Sequence, residues 1–235
     1  MSSIADNLGT VTRRIQKATL KAGRAPGSVQ LMAVSKTRQA SDLRAAYEAG
    51  QKAFGENYLQ EALTKIDALA DLSEIEWHFI GPIQSNKTRQ LAEAFDWVHS
   101  VDRLKIARRL SEQRGGSGSP LNVCLQVNIN EEDSKAGCLL GDLPALAREV
   151  MTLPNISLRG LMAIPDPDQP EADLRASFRK LADALQALQQ NEYHGKTPDT
   201  ALDTLSIGMS ADLELAIEAG ATWVRVGTAI FGARD

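Results

Sequence analysis

The sequence predicts an α/β protein: a single (β/α)8 barrel of the TIM type, with an extra amphipathic helix ahead of its first strand. Three observations lead there. Eight short runs rich in β-branched and aromatic residues recur along the 235 residues, helix-patterned stretches separate them, and those stretches are long enough for parallel crossovers. Eight such units close most economically as a barrel near ~250 residues, with a doubly wound open sheet as the alternative. No breaker is long enough to be a domain linker, so residues 1–235 are expected to form one domain.

The elements follow in order. Residues 3–22 carry apolar positions at helical spacing and precede the first strand, VQLMAVS (29–35). The remaining strand runs are KAFGEN (52–57), WHFIG (77–81), WVHSV (97–101), NVCLQVNI (122–129), LRGLMAI (158–164), TLSIGM (204–209) and WVRVGTAI (223–230). Helical stretches lie between them at 39–49, 58–70, 85–95, 102–113, 140–152, 171–190 and 212–219. Two passages from helix to strand look alike, Tyr47-Glu48-Ala49-Gly50 and Ile217-Glu218-Ala219-Gly220, and each puts Gly where a helix ends. Breakers fall at 115–120, 165–170 and 194–199.

Composition narrows the function classes. A net charge of −4 and a pI near 5.5 give no basic excess for neutralising nucleic-acid phosphates, so a small-molecule partner fits better. Nowhere does the chain run through the roughly 18 apolar residues of a membrane span, and nothing points to export, so a cytoplasmic protein is expected. The two cysteines, Cys124 and Cys138, have neither CxxC spacing nor paired histidines nearby, which reads as two free thiols and no metal site.

In a barrel, chemistry sits on the loops that follow the strands. The first strand ends Ala33-Val34-Ser35-Lys36-Thr37. Lys36 there is either a solvated surface charge or an amine with a depressed pKa, able to form an imine with an aldehyde or ketone. In the last strand Arg225 stands between Val224 and Val226, so alternation turns it into the barrel. A buried cation needs a partner, which is either an inward carboxylate such as Glu56 or a ligand's ring nitrogen or anion.

Two small-residue turns, Gly208-Met209-Ser210 and Gly227-Thr228-Ala229, allow backbone N–H groups to approach an anion, with Ser210 and Thr228 adding hydroxyls. Loops after strands seven and eight commonly bind phosphate in such barrels. Ser210 also reads as a cap for the helix that follows. Asn57 either donates to a ring substituent near Lys36 or caps the next helix. His78, between two aromatics, reads as a core histidine or a base. No Ser/His/Asp nucleophile signature and no metal-ligand spacing is found.

Seven stretches together resemble the pyridoxal phosphate homeostasis protein family, the YggS/PROSC type, which shares the alanine racemase N-terminal barrel. They are AVSKT (33–37), FGENYLQE (54–61), WHFIGPIQSNK (77–87), HSVD (99–102), LRGLMAIP (158–165), LSIGMSADLELAI (205–217) and VRVGTAIFG (224–232). The resemblance implies that pyridoxal 5′-phosphate (PLP) is held as a Schiff base on Lys36. Ser210, Gly227 and Thr228 would hold its phosphate, Arg225 would face its pyridine nitrogen, and Asn57 and Met209 would complete the binding set.

An arginine at that nitrogen leaves the ring unprotonated and a poorer electron sink. Related racemases supply a tyrosine from a second domain as a second base; the three tyrosines here, Tyr47, Tyr58 and Tyr193, fall in helical stretches. The resemblance therefore implies a monomeric binding protein of vitamin B6 homeostasis, without catalytic residues, that sequesters, protects or delivers PLP, with PLP-dependent apoenzymes as candidate recipients. A PLP-dependent amino-acid racemase of weak or narrow activity is the alternative, and a Schiff-base aldolase acting on a phosphorylated sugar is a third reading. Lys87 and Lys135 are spare amines read as solvated surface lysines.

Overall fold

The computed structural model describes residues 3–115, 118–132, 135–166, 168–192 and 202–233. Among them lie eight parallel strands that close in sequence order. They are β1 (Gln30–Val34), β2 (Ala53–Glu56), β3 (Glu76–Phe79), β4 (Trp97–Val101), β5 (Leu121–Gln126), β6 (Ile156–Met162), β7 (Thr204–Ser206) and β8 (Trp223–Val226). The helices are α1 (Ile4–Lys21), α2 (Ala40–Glu48), α3 (Leu59–Ala68), α4 (Thr88–Ala94), α5 (Leu104–Arg114), α6 (Leu143–Met151), α7 (Glu171–Glu192), α8 (Leu213–Glu218) and α9 (Thr228–Phe231), with a 3-10 turn at Ser85–Lys87. The expected barrel and its leading helix are both present. No helix among the described residues is long and apolar enough to cross a membrane.

Local chemistry explains where these elements start. Ser3 Oγ accepts the Asp6 N–H at 3.1 Å and Asp6 Oδ2 accepts the Ser3 N–H at 3.2 Å, a reciprocal cap that opens α1. Leu8, Val11, Ile15 and Ala18 then bury one stripe of α1 against α8 and α9. Barrel closure pairs β8 with β1 in the register Met32 to Arg225 and Ala33 to Val226. Val224 and Val226 are completely buried in the layer between strands and helices, and Arg225 points the other way, into the barrel.

The inside of the barrel is unusually polar. Trp97, Cys124 and Met162 form a cluster separate from the main core. His78 stacks on Trp97 with ring centroids 5.5 Å apart, lies 4.7 Å from Trp223, and its Nδ1 is 2.9 Å from His99 Nε2. Both histidines are fully buried, and burial pushes the pKa of each down, His99 well below 6.5. The core reading of His78 is therefore the one the structure favours. A base whose pKa is depressed by folding contributes stability above its unfolded value near 6.5, and that stability drains away as pH falls. The unfolding free energy is expected to fall below about pH 6.5 by up to ~1.4 kcal/mol per pH unit for each histidine. Urea unfolding at a series of pH values checks this, and His99→Gln should flatten the slope by one proton.

Several sequence boundaries need correction. β8 stops at Val226, and residues 228–230, read as strand, instead belong to α9. The β-branched Thr228 and Ile230 imitate a strand, but Gly227 redirects the chain and its carbonyl accepts the N–H groups of Ile230 at 2.9 Å and Phe231 at 3.0 Å. β7 likewise ends at Ser206 rather than 209, and β5 at Gln126 rather than 129. Tyr58 precedes α3 instead of lying within it. Tyr193 and the breaker at 194–199 lie outside the described residues.

Candidate functional site

At the C-terminal ends of the strands a cavity of about 330 Å³ opens, lined by Val34, Lys36, Arg38, Asn57, Ile80, Ile164, Met209, Ser210, Ala211, Arg225, Gly227 and Thr228. All seven residues singled out from the sequence, Lys36, Asn57, Met209, Ser210, Arg225, Gly227 and Thr228, meet there. A larger hollow of about 520 Å³ lies under α1 at the opposite end, next to Gln16, Gln51 and Trp223. None of the seven lines it, and it faces the end of the barrel where loops enter strands instead of leaving them.

Each residue is delivered by a strand end. Lys36 follows β1 and is half-buried, so the solvated surface reading does not describe it. Asn57 follows β2. It does not cap α3: the cap position is Tyr58, with no side-chain cap bond, and Asn57 Oδ1 is buried without a hydrogen-bond partner. A buried acceptor left without a partner costs about 1–3 kcal/mol.

Arg225 is 4% exposed and is held by carbonyls. Its Nη1 donates to Ser206 O at 2.6 Å and Ser206 Oγ at 3.0 Å, and its Nη2 donates to Ala163 O at 2.9 Å. Burial lowers its pKa to about 10, partly offset by the more distant Asp212 carboxylate, so it remains a cation at neutral pH. The carboxylate partner considered from sequence, Glu56, is committed elsewhere. Glu56 Oε1 accepts Lys65 Nζ at 2.8 Å and Ser35 Oγ at 2.6 Å, and burial raises its pKa against the pull of that lysine.

The two turns are built differently from one another. After β7 the Met209 N–H donates to Asp212 Oδ1 at 2.5 Å, and α8 starts only at Leu213, so Ser210 is not a helix cap. Ser210 O instead accepts Arg14 Nη2 at 3.2 Å, and the same guanidinium grips Glu214 at 2.9 and 3.0 Å. α1 thereby pins the turn, leaving the Ser210 hydroxyl available at the cavity. After β8 the chain passes so close to β1 that a Cβ on Gly227 would lie 3.0 Å from Val34 O. Asn7 Nδ2 donates to Ile230 O at 2.9 Å and Arg38 Nη2 to Gly232 O at 2.6 Å, fixing α9 from both sides.

Other candidates lie apart. His78 does not line the cavity, nor do Tyr47 and Tyr58; Tyr47 donates to Glu74 and Tyr58 is 55% exposed. Lys135 is not a solvated surface lysine: it pairs with Glu132 Oε1 at 2.8 Å and lines a neighbouring hollow of about 240 Å³. Lys87 closes the 3-10 turn, half-buried and outside the cavity. Both cysteines are free and buried, with Cys138 pushed up to about 11 and Cys124 further, by burial, so neither is a ready thiolate. The sequence reading missed Arg14, Arg38 and Lys65. Glu56 inside an apolar strand was the available signal for Lys65, since a buried carboxylate demands a cation.

Barrel, rim lysine, inward arginine and paired turns define a class. The model of the family described as "Alanine racemase, N-terminal domain" matches residues 7–235. Within that class, the pyridoxal phosphate homeostasis protein of Pseudomonas aeruginosa is 59% identical over 235 residues, covering 100% of this chain and 97% of the relative. The protein of the same name from Escherichia coli K12 is 49% identical over 237 residues, covering 100% and 98%. The structure of PipY from Synechococcus elongatus with PLP bound superposes with a TM-score of 0.83 at 40% identity, covering 98% of this chain and 100% of PipY. The chain belongs to the pyridoxal phosphate homeostasis protein family.

Proposed function

We propose that this protein binds PLP as a carrier serving intracellular vitamin B6 balance, with Lys36 as the point of attachment. The observation that carries this is the convergence of Lys36, Asn57, Arg225 and the two turns on one cavity of about 330 Å³. The residues suit the group. An amine stands at one side of the cavity, a cation at another, and Ser210, Gly227 and Thr228 supply hydroxyls and a close backbone approach for a phosphate.

PLP, when bound, would supply an aldehyde with which a lysine amine would condense to a Schiff base, releasing water. Lys36 provides that amine. Asn57 offers a hydrogen bond to a ring substituent. Met209 forms one wall with Ser210. Arg225 remains a cation at neutral pH and so favours an unprotonated ring nitrogen, which weakens the ring as an electron sink. Among the described residues no tyrosine lines the cavity, which favours a binding role over racemisation. The reading is accordingly a binding protein without turnover, acting as a cytoplasmic monomer and yielding PLP to apoenzymes.

Borohydride reduction of protein incubated with PLP, followed by peptide mass analysis, tests the proposal. The expected result is one reduced adduct on Lys36, a visible Schiff-base band absent from Lys36→Ala, and α-proton exchange of amino acids at background. An adduct on some other lysine, or a band that survives Lys36→Ala, would sink the reading. Exchange abolished by Lys36→Ala would make the protein a racemase instead.

A further inference from the structure

Thr37, immediately after Lys36, has a φ of 65°. A β-branched residue enters that left-handed region only where its surroundings hold it there. The hold is visible: the Thr37 N–H donates to Glu61 Oε1 at 2.6 Å. On the other side of Lys36, Ser35 O accepts Lys65 Nζ at 2.7 Å, and Ser35 Oγ donates to Glu56 Oε1 at 2.6 Å. Lys65 joins both halves, reaching Glu56 Oε1 at 2.8 Å and Glu61 Oε1 at 2.5 Å. Lys65 is 4% exposed and Glu56 fully buried, so this is a built polar cluster and not a surface pair. One ammonium and one carboxylate thus fasten the backbone on both sides of a single residue, and Glu56 ties the ammonium to the Ser35 hydroxyl.

We propose that Lys65 and Glu61 are positioning residues for Lys36, clamping the Ser35 and Thr37 backbone so that the lysine between them leaves β1 into the cavity. This rests on the reading of Lys36 as the PLP-bearing residue. The strain at Thr37 is the reason a clamp is needed. Released, residue 37 relaxes toward negative φ, and the direction in which Lys36 leaves the strand changes with it. Misplacing a reacting group by even about 1 Å costs about a hundredfold in rate, which is why a rigid support matters at this position. Glu61 and Lys65 stand one turn apart on α3, so the same helix face supplies both arms.

Glu61→Ala, Glu61→Gln and Lys65→Met in the full-length chain test the clamp by three measurements. The first is amide hydrogen exchange of residues 35–38 without PLP. The second is the acetylation rate of Lys36 by acetic anhydride, read on its peptide. The third is the rate of Schiff-base formation with PLP and the pH titration of its visible band. In Glu61→Ala and Lys65→Met, exchange at Thr37 should rise and Schiff-base formation slow by about tenfold or more, with altered acetylation and a displaced titration midpoint. Glu61→Gln keeps an oxygen acceptor and should stay near the parent protein. The Glu61 side chain is 30% exposed, so Glu61→Ala is expected to fold even if Lys65→Met does not. Unchanged exchange at residues 35–38 in Glu61→Ala overturns the proposal. So does faster exchange with unchanged acetylation, Schiff-base formation and titration, which would reduce the cluster to a staple between α3 and β1. A parent protein that forms no PLP adduct fails the carrier reading, and exchange and acetylation then decide the clamp on their own.

Discussion

Gly81→Ala is expected to destabilise the protein by about 3 kcal/mol and to lower its melting temperature by roughly 6–12 °C. Gly81 sits between β3 and α4, packed against the loop after β2. A Cβ there would overlap the carbonyl oxygen of Asn57 and lie 2.7 Å from its carbonyl carbon and 2.8 Å from its Cα. Those are backbone atoms and cannot rotate aside, so one loop must move. Gly81 O is in turn pinned by the Ser100 hydroxyl at 2.5 Å, which leaves the Asn57 side as the one that yields. PLP affinity should fall with stability, because Asn57 lines the cavity. Thermal melts with and without PLP check this; a variant that melts and binds like the parent would show that the contact is soft.

Arg225→Met is expected to cost about 3–5 kcal/mol, because it strands acceptors that the guanidinium now satisfies. Three bonds go at once: two to Ser206, through its carbonyl and hydroxyl, and one to Ala163 O. These acceptors sit at the ends of β6 and β7, so the loss loosens the side of the cavity that carries Ile164, Met209 and Ser210. Arg225→Lys should fall between, since an ammonium cannot spread donors across two strands as a planar fork does. Urea unfolding measures the first effect, and the position and pH titration of the Schiff-base band measure the second. A stable Arg225→Met with an unaltered band would remove Arg225 from the site.

Much of this was legible in the chain itself. Strand period, crossover length and the glycines after α2 and α8 were enough for a closed barrel of parallel strands. The polar residues ending apolar runs marked Lys36, Arg225 and the turn residues Ser210 and Thr228 as candidates, the family resemblance chose between their readings, and all four line one cavity. The errors were equally local in origin. Thr228 and Ile230 prefer strands but sit in a helical turn, because Gly227, Asn7 and Arg38 arrange the carbonyls around them. Lys135 read as solvated although its partner Glu132 stands three residues before it, because a pairing inside a loop depends on how that loop turns.

Which residues alternate and which side chain closes β1 were determined by sequence alone, because these depend on neighbours a few positions away, whereas the ends of β5, β7 and β8 were not. Partner choice was decided only in three dimensions. Arg225 had a carboxylate and a ligand as its alternatives, but the register of β6 through β8 brought the carbonyls of Ser206 and Ala163 within reach while α3 delivered Lys65 to Glu56. Charges pair with whatever barrel closure sets within a few ångströms, and closure joins residues two hundred positions apart, such as Arg14 and Glu214.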